Sequence, residues 1–215
     1  MTSQNHDQTA AQSPRVADFY EYATYLATAL CSAVAIIIIR RLDAQPGTDT
    51  VTTHGVLDAS AHLLTGLMIG VGLRALRLPI PLWAVLIGSI APDIGHLLRH
   101  YDILSVVTGS SRTGTHSAAA LIVVALIGFI DQRRANMWLG IALGGLTHLW
   151  RDMGTGTVPL LWPVDLTVDG TTFSRYMIAI CGASLAMIGS GMLLDTYRLA
   201  NRLDTPTMDS SERLS

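Results

Sequence analysis

Residues Tyr22–Ile39 read YATYLATALCSAVAIIII, eighteen residues without a formal charge. A run of about 17–25 predominantly apolar residues crosses the hydrocarbon core of a bilayer as one helix. The stretch therefore predicts a membrane-spanning helix, and its flanks agree. The polar leader Met1–Ala17 has no apolar run of its own, and Arg40 and Arg41 follow where a processing site would carry small residues. A retained anchor is expected rather than a removed leader.

The rest of the chain has the same character. Of its 215 residues, 50% are hydrophobic and 14% charged, and the mean hydropathy is +0.41. Soluble domains carry about 25% charged residues, so a chain this poor in charge hides its surface in lipid. Its cations are 14 arginines without a lysine, the net charge is −2, and no basic patch arises that counterion release would reward. Nucleic acid is therefore excluded as a partner. Cys31 and Cys181 lie in apolar runs without a CxxC spacing and read as packing residues.

Five further apolar stretches follow: Val56–Leu73, Leu78–Leu98, Gly114–Ile130, Ala135–Trp150 and Tyr176–Leu194. The expected fold is all-α, a polytopic membrane helical bundle of about six transmembrane helices. Gly114–Ile130 and Ala135–Trp150 are near the short limit, and a half-inserted hairpin is the alternative for that pair. The bundle, with its metal site, should occupy 18–198. The polar stretches 1–17 and 199–215 have too little apolar surface to offset the entropy of ordering and are expected to be mobile tails.

Six of the seven histidines fall between His54 and His148, and several sit at helical spacings from carboxylates. Asp58 and His62 are four apart, Asp93 and His96 three apart, His148 and Asp152 four apart. Residues at these spacings share one helix face, so each pair can present two ligand groups to one point. In a six-span chain the start of the second span, the end of the third, the start of the fourth and the end of the fifth lie on one side. Asp58 and His62, Asp93 and His96, His116, and His148 with Asp152 stand at those four places. Ionisable groups inside a membrane cost about 2.5–3.5 kcal/mol each on insertion scales and mark functional sites. A bound divalent cation offsets that cost; imidazole and carboxylate suit zinc first, then iron or manganese. For His54 and His100 a capping or snorkelling role is expected. Asp58 reads equally as a ligand, as a partner of a ligand, or as a helix-start carboxylate favoured by the macrodipole.

Three segments in order carry a resemblance: Ile90-Ala91-Pro92-Asp93-Ile94-Gly95-His96, Ser111-Arg112-Thr113-Gly114-Thr115-His116-Ser117, and Leu146-Thr147-His148-Leu149-Trp150-Arg151-Asp152-Met153 leading into Val158–Pro163. Together they resemble the family of membrane-bound metal-dependent hydrolases of the prokaryotic inner membrane, over roughly Ala61 to Val164. The resemblance implies metal ligation by His62, Asp93, His96, His116, His148 and Asp152. Two positions depart from the family pattern. Gly95 stands where a second Asp is usual and Ser111 where a His is usual, which removes two ligands and weakens the case for a two-metal site.

The implied activity is hydrolysis of a phosphate or carboxylic ester at the membrane face. Asp93 or Asp152 would serve as ligand or base, and Arg112 would hold an anionic group, since a guanidinium matches phosphate geometry. The implied cofactor is a divalent metal, zinc first, and the implied partners are membrane lipid and a lipid-linked or phosphorylated small-molecule substrate. The expected location is the inner (cytoplasmic) membrane, spanned several times. The rival readings are a divalent-metal transporter or binding protein, and a non-catalytic family member with a degraded site. Charge does not settle the orientation: the loops on the site's side hold six arginines and the other side eight.

Overall fold

The computed structural model describes residues 14–45, 51–93, 114–159, 161 and 167–204. Six helices carry them: α1 (Pro14–Asp43), α2 (Val51–Ala75), α3 (Leu82–Ile90), α4 (Ala118–Ile130), α5 (Ala135–Met153) and α6 (Phe173–Asp204). Between α5 and α6 lies a two-residue antiparallel ladder of β1 (Val158–Pro159) and β2 (Thr167–Val168), pairing Val158 with Val168 and Pro159 with Thr167. The all-α membrane bundle expected from the sequence is the fold observed.

Among the described residues three segments are long and apolar enough to cross a bilayer: Ala17–Asp43, Thr53–Ala75 and Phe173–Asn201. The 13 residues of α4 rise about 20 Å, short of a hydrocarbon core of about 30 Å. Its outer face is nonetheless built for lipid, with Phe129 80% and Ile130 85% exposed, as are Ile178 and Leu193 on α6. In water so much bare apolar surface would be a liability; beside acyl chains it costs nothing.

Helical periodicity sets the packing. The seam of α1 is Tyr22, Ala29, Ala33 and Ile36, and that of α6 is Tyr176, Ile180, Ser184 and Ile188. Both close on α2, which also touches α3 and α5. Ala33, Ile36, Met68, Tyr176, Met177 and Ile180 form one core cluster, with Cys181 packed against it. Cys31 does not pack as expected: it is exposed on α1, off the seam.

The third apolar stretch begins as helix at Leu82, not Leu78. Pro81 stands before it with φ −66° and ψ 127°, extended backbone, and the two prolines Pro79 and Pro81 bar a helical turn at the residues preceding them. Arg77 reverses the chain there in the left-handed region, φ 58°. It is held by Glu21 at 2.8 Å, Asp195 at 2.9 Å and Asp18 at 3.6 Å. Hydrogen bonding to Glu21 is the main reason its pKa lies above the ordinary arginine value. Tyr22 donates to Asp195 Oδ2 at 2.8 Å beside it, so the network joins the ends of α1, α2 and α6 opposite the histidines.

Helices α3 and α5 approach backbone to backbone. A Cβ on Gly144 would stand 2.0 Å from the Val85 carbonyl oxygen, and one on Gly88 would stand 2.1 Å from that of Ile141. Gly140 and Gly144 are four apart on the same face of α5, the small-residue spacing that lets membrane helices pack closely. This contact places the end of α3 against the histidine turn of α5.

Candidate metal centre

Four separate segments deliver the site. From α2 come Asp58 and His62, one turn apart. Asp93 closes the 3-10 turn Ala91–Asp93 that continues α3. His116 ends the 3-10 turn Gly114–His116, and Ser117 caps α4 directly after it, its hydroxyl accepting from the Ala120 N–H at 3.2 Å. Thr115 Oγ1 donates to the Pro92 carbonyl at 3.0 Å, which binds the two 3-10 turns together and brings His116 to Asp93 across 23 residues. His148 and Asp152 occupy the last turns of α5, which Thr155 closes by donating to the Asp152 carbonyl at 3.0 Å.

The side chains of these segments converge. His116 Nε2 lies 3.4 Å from Asp93 Oδ1 and 4.0 Å from Asp152 Oδ2. His148 Nε2 lies 3.5 Å from each of the same two oxygens. His62 Nε2 lies 3.4 Å from Asp152 Oδ1 and 3.5 Å from Asp58 Oδ2. The rings of His62 and His148 stack at 3.7 Å between centroids, tilted by 12°. All three histidines are buried and Asp152 nearly so, while the side chains of Asp93 and Asp58 are 28% and 50% exposed. Asp93 and Asp58 therefore mark the mouth, and the imidazoles with Asp152 the floor.

His148 decides what this cluster can do. Its Nδ1 donates to the carbonyl of Ser89 at 2.9 Å, and a carbonyl can only accept, so in the neutral ring Nε2 carries a lone pair. That lone pair points at two carboxylates and, like both ring nitrogens of His62, has no hydrogen-bond partner. Buried acceptors aimed at one another repel unless a cation stands between them. Backbone fixation of the far ring nitrogen is also how metal-ligating histidines are oriented.

The donor set fits zinc in kind. Ligands about 2.0–2.1 Å from a tetrahedral zinc stand about 3.3–3.4 Å from one another; His116 Nε2 and His148 Nε2 lie 3.4 and 3.5 Å from Asp93 Oδ1, close to such an edge, and Asp152 Oδ2 lies 3.5 Å from His148 and 4.0 Å from His116. Among the described residues three overlapping ligand triples arise: His62, His148 and Asp152; Asp93, His116 and His148; Asp58, His62 and Asp93.

A family model described as the YdjM inner membrane protein matches residues 57–199. The chain belongs to the YdjM inner membrane protein family. The YdjM match spans every residue of the site, from Asp58 to Asp152, and leaves out the whole of α1. Its description names a membrane and no reaction. No curated protein and no solved structure matches the chain.

Of the residues expected in the site, His62, Asp93, His116, His148 and Asp152 are brought together, and Asp58 joins them. His96, Arg112 and His100 lie outside the described residues. His54 stands apart, bonded to Asp43 between α1 and α2. Two contributors carry no sequence signal of the kind used above. The Ser89 carbonyl is backbone, and Arg151, whose Nη2 reaches Asp58 Oδ1 at 3.3 Å, reads in the sequence as an ordinary loop charge.

Proposed function

We propose that this YdjM-family protein is a multi-pass, metal-dependent hydrolase that cleaves a phosphate or carboxylic ester at the membrane face. The observation that carries the reading is His148, whose Nδ1 donates to the Ser89 carbonyl and whose Nε2 lies 3.5 Å from both Asp93 and Asp152. Of His116, His148, Asp93 and Asp152, the triple Asp93, His116 and His148 would hold the metal with Asp152 beside it, and zinc is favoured by the imidazole and carboxylate donors. When bound, such an ion lowers the pKa of water toward neutrality and polarises a phosphoryl or acyl oxygen.

The chain's own groups supply the rest. Asp93, partly exposed at the mouth, is placed to accept a proton from an incoming water, whereas Asp152 is buried and engages histidines through both oxygens. Arg112 is the proposed holder of the anionic group. The site lies at the end of α2 that begins the span, which suits a lipid-linked substrate whose tail stays in the bilayer. A transport path draws no comparable support: between His62 and Arg74, α2 reads LLTGLMIGVGL, without another ligand.

The test is elemental analysis of detergent-purified protein beside a His148→Ala, Asp152→Ala variant, with circular dichroism to compare helicity. Near one zinc, iron or manganese per chain, lost in the variant along with hydrolysis of a lipid phosphate or carboxylic ester, is the expected result. Metal-free protein after reconstitution, or ester hydrolysis untouched by the double substitution, overturns the reading.

A further inference from the structure

The constellation divides into two overlapping halves, and Asp152 reaches into both. In one, His116 Nε2 and His148 Nε2 face Asp93 Oδ1 at 3.4 and 3.5 Å and Asp152 Oδ2 at 4.0 and 3.5 Å. In the other, His62 Nε2 faces Asp152 Oδ1 at 3.4 Å and Asp58 Oδ2 at 3.5 Å. A carboxylate reaching to both sides is what a pair of metal ions would use. The second half, however, already contains a cation.

Arg151 is 3% exposed. Its Nη2 stands 3.3 Å from Asp58 Oδ1, the oxygen that Asp58 does not turn to His62. Its guanidinium carbon lies 5.9 Å over the Tyr176 ring, and its Nε and Nη1 are buried without a hydrogen-bond partner. A guanidinium keeps its charge at any accessible pH. The three carboxylates Asp58, Asp93 and Asp152 set against Arg151 leave two net negative charges, which a single divalent ion neutralises.

We infer that Arg151 is a resident cation of the second half-site and restricts this chain to one metal ion. The inference rests on the metal-centre reading above. A second ion at His62 would sit beside a buried positive charge and would have to compete with it for Asp58. His62 then acts as a bridge between Asp58 and Asp152 rather than as a primary ligand.

The experiment counts ions. Wild-type protein, loaded with zinc and passed through a desalting column, should hold one per chain by elemental analysis. Arg151→Gln should hold two, and Arg151→Gln with His62→Gln should return to one. Two ions in the wild type, or one in Arg151→Gln, overturns the inference and leaves the metal centre standing; no ion in any variant overturns the metal centre itself. If Arg151→Gln does not fold, a zinc titration of wild type against a chelating dye decides. One tight equivalent, with any second at least about a hundredfold weaker, is the expected curve, and two equivalents of similar affinity overturn the inference.

Discussion

The Nδ1 of His148 and the backbone carbonyl of Ser89 lie 2.9 Å apart, 59 residues distant in sequence, and that bond exists because α3 and α5 touch through glycine. Gly144→Ala should therefore harm the site without altering a ligand. Its Cβ would meet the Val85 carbonyl at 2.0 Å, forcing the helices apart at a cost of about 1–3 kcal/mol. Zinc affinity should fall roughly 10–100-fold, the usual effect of disturbing a ligand's outer partner. Gly189→Ala on α6, where a Cβ meets nothing within 4 Å, is the control that should keep both melting temperature and zinc affinity.

Asp152 engages three histidines and Asp93 two. Asp152→Asn should accordingly lower zinc affinity by more than Asp93→Asn does. Equilibrium dialysis against a zinc buffer measures both, and equal losses would contradict the division of labour drawn from the distances.

Ser117 holds His116 in place by capping α4. Ser117→Ala removes the cap, at about 0.5–2 kcal/mol, and should weaken zinc binding through the freed His116. Ser117→Asp, which restores an acceptor at the helix start, should recover the melting temperature in detergent. A variant that melts lower with unchanged zinc affinity would show that the cap serves α4 alone.

At the opposite end, Arg77→Ala removes contacts with Asp18, Glu21 and Asp195. Arg77 is about one-third exposed, and partly exposed pairs contribute up to about 1 kcal/mol each. The melting temperature should drop by a few degrees and zinc content should stay at the wild-type level. The difference between wild type and variant should shrink as salt rises, because screening weakens such pairs.

The fold was legible wherever one apolar run equals one helix. Tyr22–Ile39, Val56–Leu73 and Tyr176–Leu194 lie within α1, α2 and α6, because lipid-facing helices are apolar nearly all round. α3 starts four residues later than the apolar run Leu78–Leu98, since Pro79 and Pro81 carry no charge to interrupt that run while their rings forbid the helical turn. In the site, the pairs four apart, Asp58 with His62 and His148 with Asp152, announce themselves. Asp58 stayed ambiguous because what distinguishes it, Arg151, is 93 residues away. The Ser89 carbonyl was unreadable in principle: any residue there would offer the same oxygen, and the glycines that bring it near belong to a packing surface rather than to a motif.

Because the donors come from α2, the end of α3, the start of α4 and the end of α5, a bound ion would stitch together segments that otherwise carry mutually repelling carboxylates. A ligand that binds only the folded state at a hundred times its dissociation constant adds about 2.7 kcal/mol of stability, a large share of what a small bundle possesses. Scarcity of the ion would then shorten the lifetime of the protein as well as silence it, as membrane proteases clear the loosened chains. Cellular abundance would follow metal supply without any change in transcription.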